Sequence, residues 1–132
     1  MSSKAYFHPE CPLDFIQFAR AKKTPALIEF IGNLMASIEA EGMRNPVVVQ
    51  CWDGKTDAKP GRCRCWAATY LDWRTVPAII LDHDGTVPVP EGSVEISPDE
   101  IHEHLDPLEF CVGERNGRVY IRTHAIAGTQ AV

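Results

Sequence analysis

No apolar run in this chain of 132 residues approaches the roughly 20 residues that a bilayer-spanning helix needs. The opening "MSSKAYFHPECPLDF" has neither the basic start nor the continuous apolar stretch of a secretory signal. Together these absences predict no membrane partner and a cytoplasmic address. A disulfide framework is missing too, because the five cysteines, at 11, 51, 63, 65 and 111, are odd in number and irregularly spaced. Free thiols are expected, with Cys11, Cys51 and Cys111 as small hydrophobes among apolar neighbours. Internal repeats and low-complexity segments are absent. Positive charge is short as well, since the net charge is −5. Residues 81–132 hold three Lys/Arg against ten Asp/Glu. Such an acidic last third disfavours a non-specific grip on a phosphate backbone, so any such grip is expected from a basic patch in the first half.

What is present reads as alternating helices and strands. Residues 1–23 look irregular, with Pro9 and Pro12 as breakers and a short helix or turn over Leu13 to Lys23. "TPALIEFIGNLMASIEAEGM" is the clearest helix. Thr24 suits the N-cap, Pro25 the first turn and Gly42 the left-handed end, while Leu27, Ile31, Leu34 and Ile38 form one stripe. "NPVVVQCW" predicts a strand over Asn45 to Trp52, and "DGKTDAKPG" (53–61) a surface loop. A second helix is expected from about Cys63 to Asp72. "TVPAIILD" then predicts a strand whose Pro77 suits an edge or a strand start. Beyond a Pro/Gly-rich connector, "SPDEIHEHL" carries a capping box on Ser97 and Glu100, and Asn116-Gly117 marks a β-hairpin.

The chemistry concentrates in "KPGRCRCWAATYLDW" (59–73). A glycine before a helix start offers unpaired amides and the positive end of the helix dipole, which favour an anion. Arg62 and Arg64 add planar donors suited to phosphate oxygens. The stretch Gly61, Arg62, Cys63, Arg64, Cys65 is therefore the candidate phosphate site.

"SIEAEGMRNPVVVQ" followed by "GRCRCWAATYLDWRTVPAIILD" resembles the two signature boxes of the ParB/sulfiredoxin-like superfamily. Asn45-Pro46-Val47-Val48-Val49 matches the first box. Gly61, Arg64, Ala67, Ala68 and Val76-Pro77-Ala78-Ile79 match the second. The likeness covers roughly residues 24–82. It implies an α+β fold with a small mixed sheet, in the ParB-like branch a CTP pocket and in the sulfiredoxin branch the use of ATP. The second box also resembles the sulfiredoxin version, which would place Cys63 on the catalytic cysteine. A thiolate there would draw on the helix start and the flanking arginines. Two departures stand out: Cys63 occupies one arginine position of the ParB pattern, and Cys65 the phosphate-ligating arginine of the sulfiredoxin pattern. A centromere-partitioning clamp is not expected in a chain of this length.

Other constellations carry less. Cys63-x-Cys65 with Cys51 and His83 supplies only one clustered pair, so no zinc is expected. Asp82 and Asp84, at a strand exit, are the candidate ligands for Mg2+ beside a bound phosphate. His102 and His104 point to different helix faces. Trp66 reads as a core anchor. The expected organisation is a segment at 1–23, a ParB/sulfiredoxin-like core at 24–82 and an acidic extension at 83–132. The leading expectation is a stand-alone ParB-like domain that binds the phosphates of ATP, CTP or DNA, with nuclease or NTPase activity if Asp82 and Asp84 hold a metal. Two alternatives are a sulfiredoxin-like thiol enzyme using Cys63, and an adaptor or inhibitor of the phage or mobile-element kind. The adaptor would dock on a protein partner through residues 92–132.

Overall fold

The structure, a computed structural model, describes residues 3–18 and 23–123. Five strands form one sheet in the order β3-β2-β4-β1-β5, made of β1 (Lys4–Pro12), β2 (Val47–Trp52), β3 (Lys55–Ala58), β4 (Thr75–Asp82) and β5 (Val94–Ile96). β2 and β4 run parallel, joined by a crossover through helix α2 (Arg62–Tyr70). The other pairs are antiparallel. Helix α1 (Pro25–Glu41) precedes β2, and a hairpin of β6 (Phe110–Arg115) and β7 (Arg118–Thr123) closes the described chain.

Period-two alternation in the central strands builds two cores. Val47, Val49 and Cys51 of β2, with Val76, Ala78 and Ile80 of β4, meet Cys65 and Ala68 of α2 on one face. Val48, Ile79 and Leu81 face the other way and meet Ile101, Leu105, Phe110, Val119 and Ile121. The C-terminal extension thus supplies the cover for the second face of the sheet. A third cluster joins the predicted α1 stripe to α2 through Ile31, Ile38 and Ala67, with Leu27, Leu34 and Trp66 against it.

The local signals for α1 act as expected. The Thr24 hydroxyl accepts from the Leu27 amide at 3.2 Å, and Gly42 ends the helix at φ 76°. Asn116 (φ 53°) and Gly117 (φ 77°) make the tight hairpin turn. The capping box on Ser97 and Glu100 is present, but it opens a 3-10 helix (Pro98–Glu103).

Four expectations are corrected. The supposedly irregular start contains β1, a strand of 9 residues. The short helix or turn expected over Leu13 to Lys23 is a 3-10 turn confined to Leu13–Phe15, so only its length is corrected, and residues 19–22 lie outside the described residues. The surface loop contains β3, whose outer edge is covered where Gln17 bonds Thr56 and Ala58. Pro77 lies in β4, a central strand. The pairing of β1 to β4 jumps from His8↔Ala78 to Cys11↔Val76, so the bulge at Pro9-Glu10 faces Pro77 and asks it for no amide.

Candidate functional site

The segment from β3 to α2 is fastened to β2 by two backbone bonds. The Lys59 amide donates to the Val48 carbonyl (2.8 Å), and the Val48 amide donates to the Pro60 carbonyl (3.0 Å). Gly61 follows as the N-cap of α2 at φ 123°, which disfavours any side chain. A Cβ there would stand 3.0 Å from Val47 Cβ and 3.1 Å from Val47 Cα. The glycine is therefore required by close packing on β2 as well as by its backbone angle, and not by the approach of a ligand alone. Gly61→Ala is expected to lower stability by about 1–3 kcal/mol, measured by chemical denaturation. A loss within experimental error would mean that the turn relaxes freely.

The Gly61 carbonyl accepts from the amides of Arg64 (3.0 Å) and Cys65 (3.1 Å), and no side chain caps this end of the helix. The amides of Gly61, Arg62 and Cys63 take no acceptor among the described residues. Beside them lies a cavity of about 260 Å³ lined by Gly61, Cys63 and Arg64. Phe30, Leu34 and Ile38 of α1 form its apolar wall. Arg44, Asn45 and Glu109 bring polar groups to it.

The five predicted residues divide. Gly61, Cys63 and Arg64 line the cavity, whereas Arg62 is exposed outside its lining. Cys65 points into the sheet core, fully buried, and burial pushes its thiol up to about 12. Its side chain does not line the cavity. Arg64 is largely occupied by the protein itself. Its Nη1 donates to the carbonyls of Asn45 and Pro46, the latter at 2.9 Å, and its guanidinium lies 5.7 Å from the Phe110 ring centroid. Burial lowers its pKa against the opposing pull of nearby acidic groups, Glu109 among them.

Cys63 is also buried. Burial raises its thiol pKa, and the opposing influence of Arg62 and Arg64 is smaller. The lowering by the arginines, on which a sulfiredoxin-like thiolate would draw, is present but smaller than the raising by burial.

The candidate metal ligands lie elsewhere. Gly61 packs on Val47 at the start of β2, whereas Asp82 pairs with Cys51, four residues further along. At about 3.3 Å per residue that is roughly 13 Å. Asp82 accepts the Gly85 amide (2.8 Å), while Asp84 accepts the Asp53 amide (2.8 Å) and the Thr86 hydroxyl (2.6 Å). These carboxylates hold a pair of turns together, and they are not beside the cavity. Among the described residues no group of three His, Cys, Asp or Glu side chains is arranged to hold a metal.

Sequence reasoning missed Arg44, Asn45 and Glu109. Arg44 is exposed at the cavity and makes a loose i,i+3 ion pair with Glu41 at 3.8 Å. Asn45 Nδ2 donates to Glu109 (2.5 Å), and Asn45 Oδ1 accepts from the Asp106 amide (2.9 Å). The one available signal was "RN" between the helix-ending glycine and the first box; Glu109 had none.

No family model matches this chain, and neither does any curated protein. Similar solved structures do exist. Sulfiredoxin from Arabidopsis thaliana is 26% identical, with a TM-score of 0.47 over 55% of this chain and 82% of that one. The chromosome-partitioning protein ParB from Caulobacter crescentus, truncated at its C-terminus and complexed with CTP-gamma-S, is 23% identical. Its TM-score is 0.47, over 64% of this chain and 47% of that one. SbnI from Staphylococcus aureus, also truncated, is 18% identical at a TM-score of 0.43, over 81% of this chain and 45% of that one. The chain thus spans less than half the length of the latter two. Both sequence boxes fall on the elements expected of them: Asn45-Pro46 leads into β2, Gly61 caps α2 and Pro77 stands in β4. The architecture is α+β, and these sulfiredoxin, ParB and SbnI structures are what it is similar to.

Proposed function

We propose that the chain binds the phosphate end of a nucleotide, ATP or CTP, at the start of α2. The observation that carries this reading is the cavity itself, where unpartnered amides at a helix N-terminus adjoin the exposed cation of Arg44. At about 260 Å³ the cavity falls below the roughly 300 Å³ at which pockets begin to enclose whole ligands. It suits a phosphate group, with the nucleoside outside against the half-exposed Phe30. Arg64 contributes by holding the carbonyls of Asn45 and Pro46 away from the anion, more than by direct contact. Glu109 opposes the ligand, since its carboxylate shares the cavity. Mg2+ would arrive on the nucleotide, because Asp82 and Asp84 lie at the other end of the strands. For the same reason binding, and not hydrolysis, is the activity proposed.

Isothermal titration with ATP and CTP, with and without Mg2+, tests this reading. Arg44→Ala should weaken binding roughly tenfold, as expected for loss of a charge-assisted hydrogen bond. Glu109→Gln, which removes the opposing charge, should strengthen it several-fold. Absence of heat with both nucleotides, or equal affinities in all three proteins, would discard the proposal.

A further inference from the structure

All three basic residues of the acidic last third, Arg115, Arg118 and Arg122, lie on the β6–β7 hairpin. The register explains how they come together. Arg115 pairs with Arg118, Gly113 with Tyr120 and Cys111 with Arg122, so these residues share one face while Val119 and Ile121 enter the core. Gly113 leaves room for Tyr120 to lie flat across the hairpin, since a Cβ there would stand 2.2 Å from the tyrosine oxygen. Arg122 sits 5.0 Å from the Tyr120 ring centroid.

The β6–β7 hairpin, with residues of both its faces, lines a cleft of about 490 Å³, and Gln50, Trp52, Lys59 and His83 line it as well. Trp52 is 42% exposed, with Lys55 located 5.0 Å from its ring centroid. Among the described residues no carboxylate lines the cleft. Among the described residues none of these cations has an ion-pair partner, because the only ion pair joins Arg44 to Glu41. Two arginines directly opposite each other on neighbouring strands repel, a cost that a bound anion would relieve. Unpaired guanidinium groups along a groove, interleaved with upward-facing aromatic rings, match the phosphate spacing and base faces of an unpaired strand.

We infer that the open hairpin face, with Trp52 and Lys59 of the same cleft, binds single-stranded nucleic acid. The arginines track phosphates, and Trp52 and Tyr120 receive bases. Binding is expected to be sequence-tolerant, because the cleft's two candidates for reading a base edge, Gln50 and His83, bond each other (2.6 Å). An acidic peptide would satisfy the charge but leave both rings without a planar partner. The inference does not rest on the nucleotide site at Gly61.

Fluorescence anisotropy of a labelled oligothymidylate of about 10 nucleotides, added to the intact chain at low salt, gives the test. Four cations predict a slope of about −3 for log affinity against log salt. Arg118→Gln/Arg122→Gln changes two exposed side chains and should cut affinity at least about tenfold without moving the thermal melt. Trp52→Ala, a separate check should the double variant misfold, should cost about tenfold and abolish quenching of Trp fluorescence by the oligonucleotide. Arg44→Ala should leave oligonucleotide binding intact, which separates this face from the other cavity. No anisotropy change at low salt, unaltered affinity in both hairpin and tryptophan variants, or tighter binding of oligoglutamate than of oligothymidylate would overturn the assignment.

Discussion

Arg64→Ala is expected to lower the folding stability by about 2–6 kcal/mol, as two carbonyls lose their donor at about 1–3 kcal/mol each. The guanidinium reaches back to the carbonyls of Asn45 and Pro46, just ahead of β2. It thereby joins the start of α2 to the entry of the first sequence box. Arg64→Met separates the contributions, because it keeps most of the side-chain stem and removes only the donors. Chemical denaturation should show Met recovering the packing share of the loss and Ala losing both. If Ala proved as stable as the parent chain, the two carbonyls would be satisfied by water and the pairing would be incidental. A drop of this size would also identify the arginine of the second box as an architectural residue first.

The second large effect appears in alkali. Cys11, Cys51 and Cys65 are fully buried, and burial pushes each thiol from the ordinary 9.0 up to about 12. Below pH 9 these thiols are neutral in the folded and unfolded chains alike, so the native state keeps its full advantage. Between pH 9 and 12 only the unfolded chain loses the protons, so stability falls as pH rises. Each thiol contributes about 1.4 kcal/mol per pH unit. Three of them acting together would exhaust the roughly 5–15 kcal/mol of a small domain within a few pH units. Circular dichroism should therefore record cooperative unfolding between pH 10 and 12. Replacing the three residues with alanine should move that midpoint upward. The companion result is alkylation at pH 8 about a thousandfold slower in the native chain than in urea at these positions. Native labelling at the denatured rate would show that the thiols are open to solvent.

Signals confined to a few neighbouring residues were legible in the sequence. Thr24-Pro25, Gly42, Ser97 with Glu100, and Asn116-Gly117 each act through bonds within four residues, and each stands where its chemistry requires. β1 was hidden because Pro9 and Pro12 suggest breakage, while the bulge that tolerates Pro9 depends on Pro77, far along the chain. β3 was hidden because "KTDA" is polar, and its pairing comes from β2 and Gln17. At the candidate site the glycine and the helix start were readable. The destination of Arg64 was not, because its acceptors lie 18 and 19 residues back. Glu109 was unreadable for the same reason. The hairpin arginines were visible but had been absorbed into a regional charge count, which erased the period-two spacing of Arg118, Tyr120 and Arg122.

The extension that covers the back of the sheet changes how an interaction partner would have to be sought. Ending the chain after Asp82 would leave Val48, Ile79 and Leu81 without their lid. Such a shortened protein would offer an oily slab to anything in solution, and whatever it captured or lost would report on misfolding. Surface charge reversal in the chain of 132 residues leaves that lid in place, so it is the cleaner probe of any contact made by the last third.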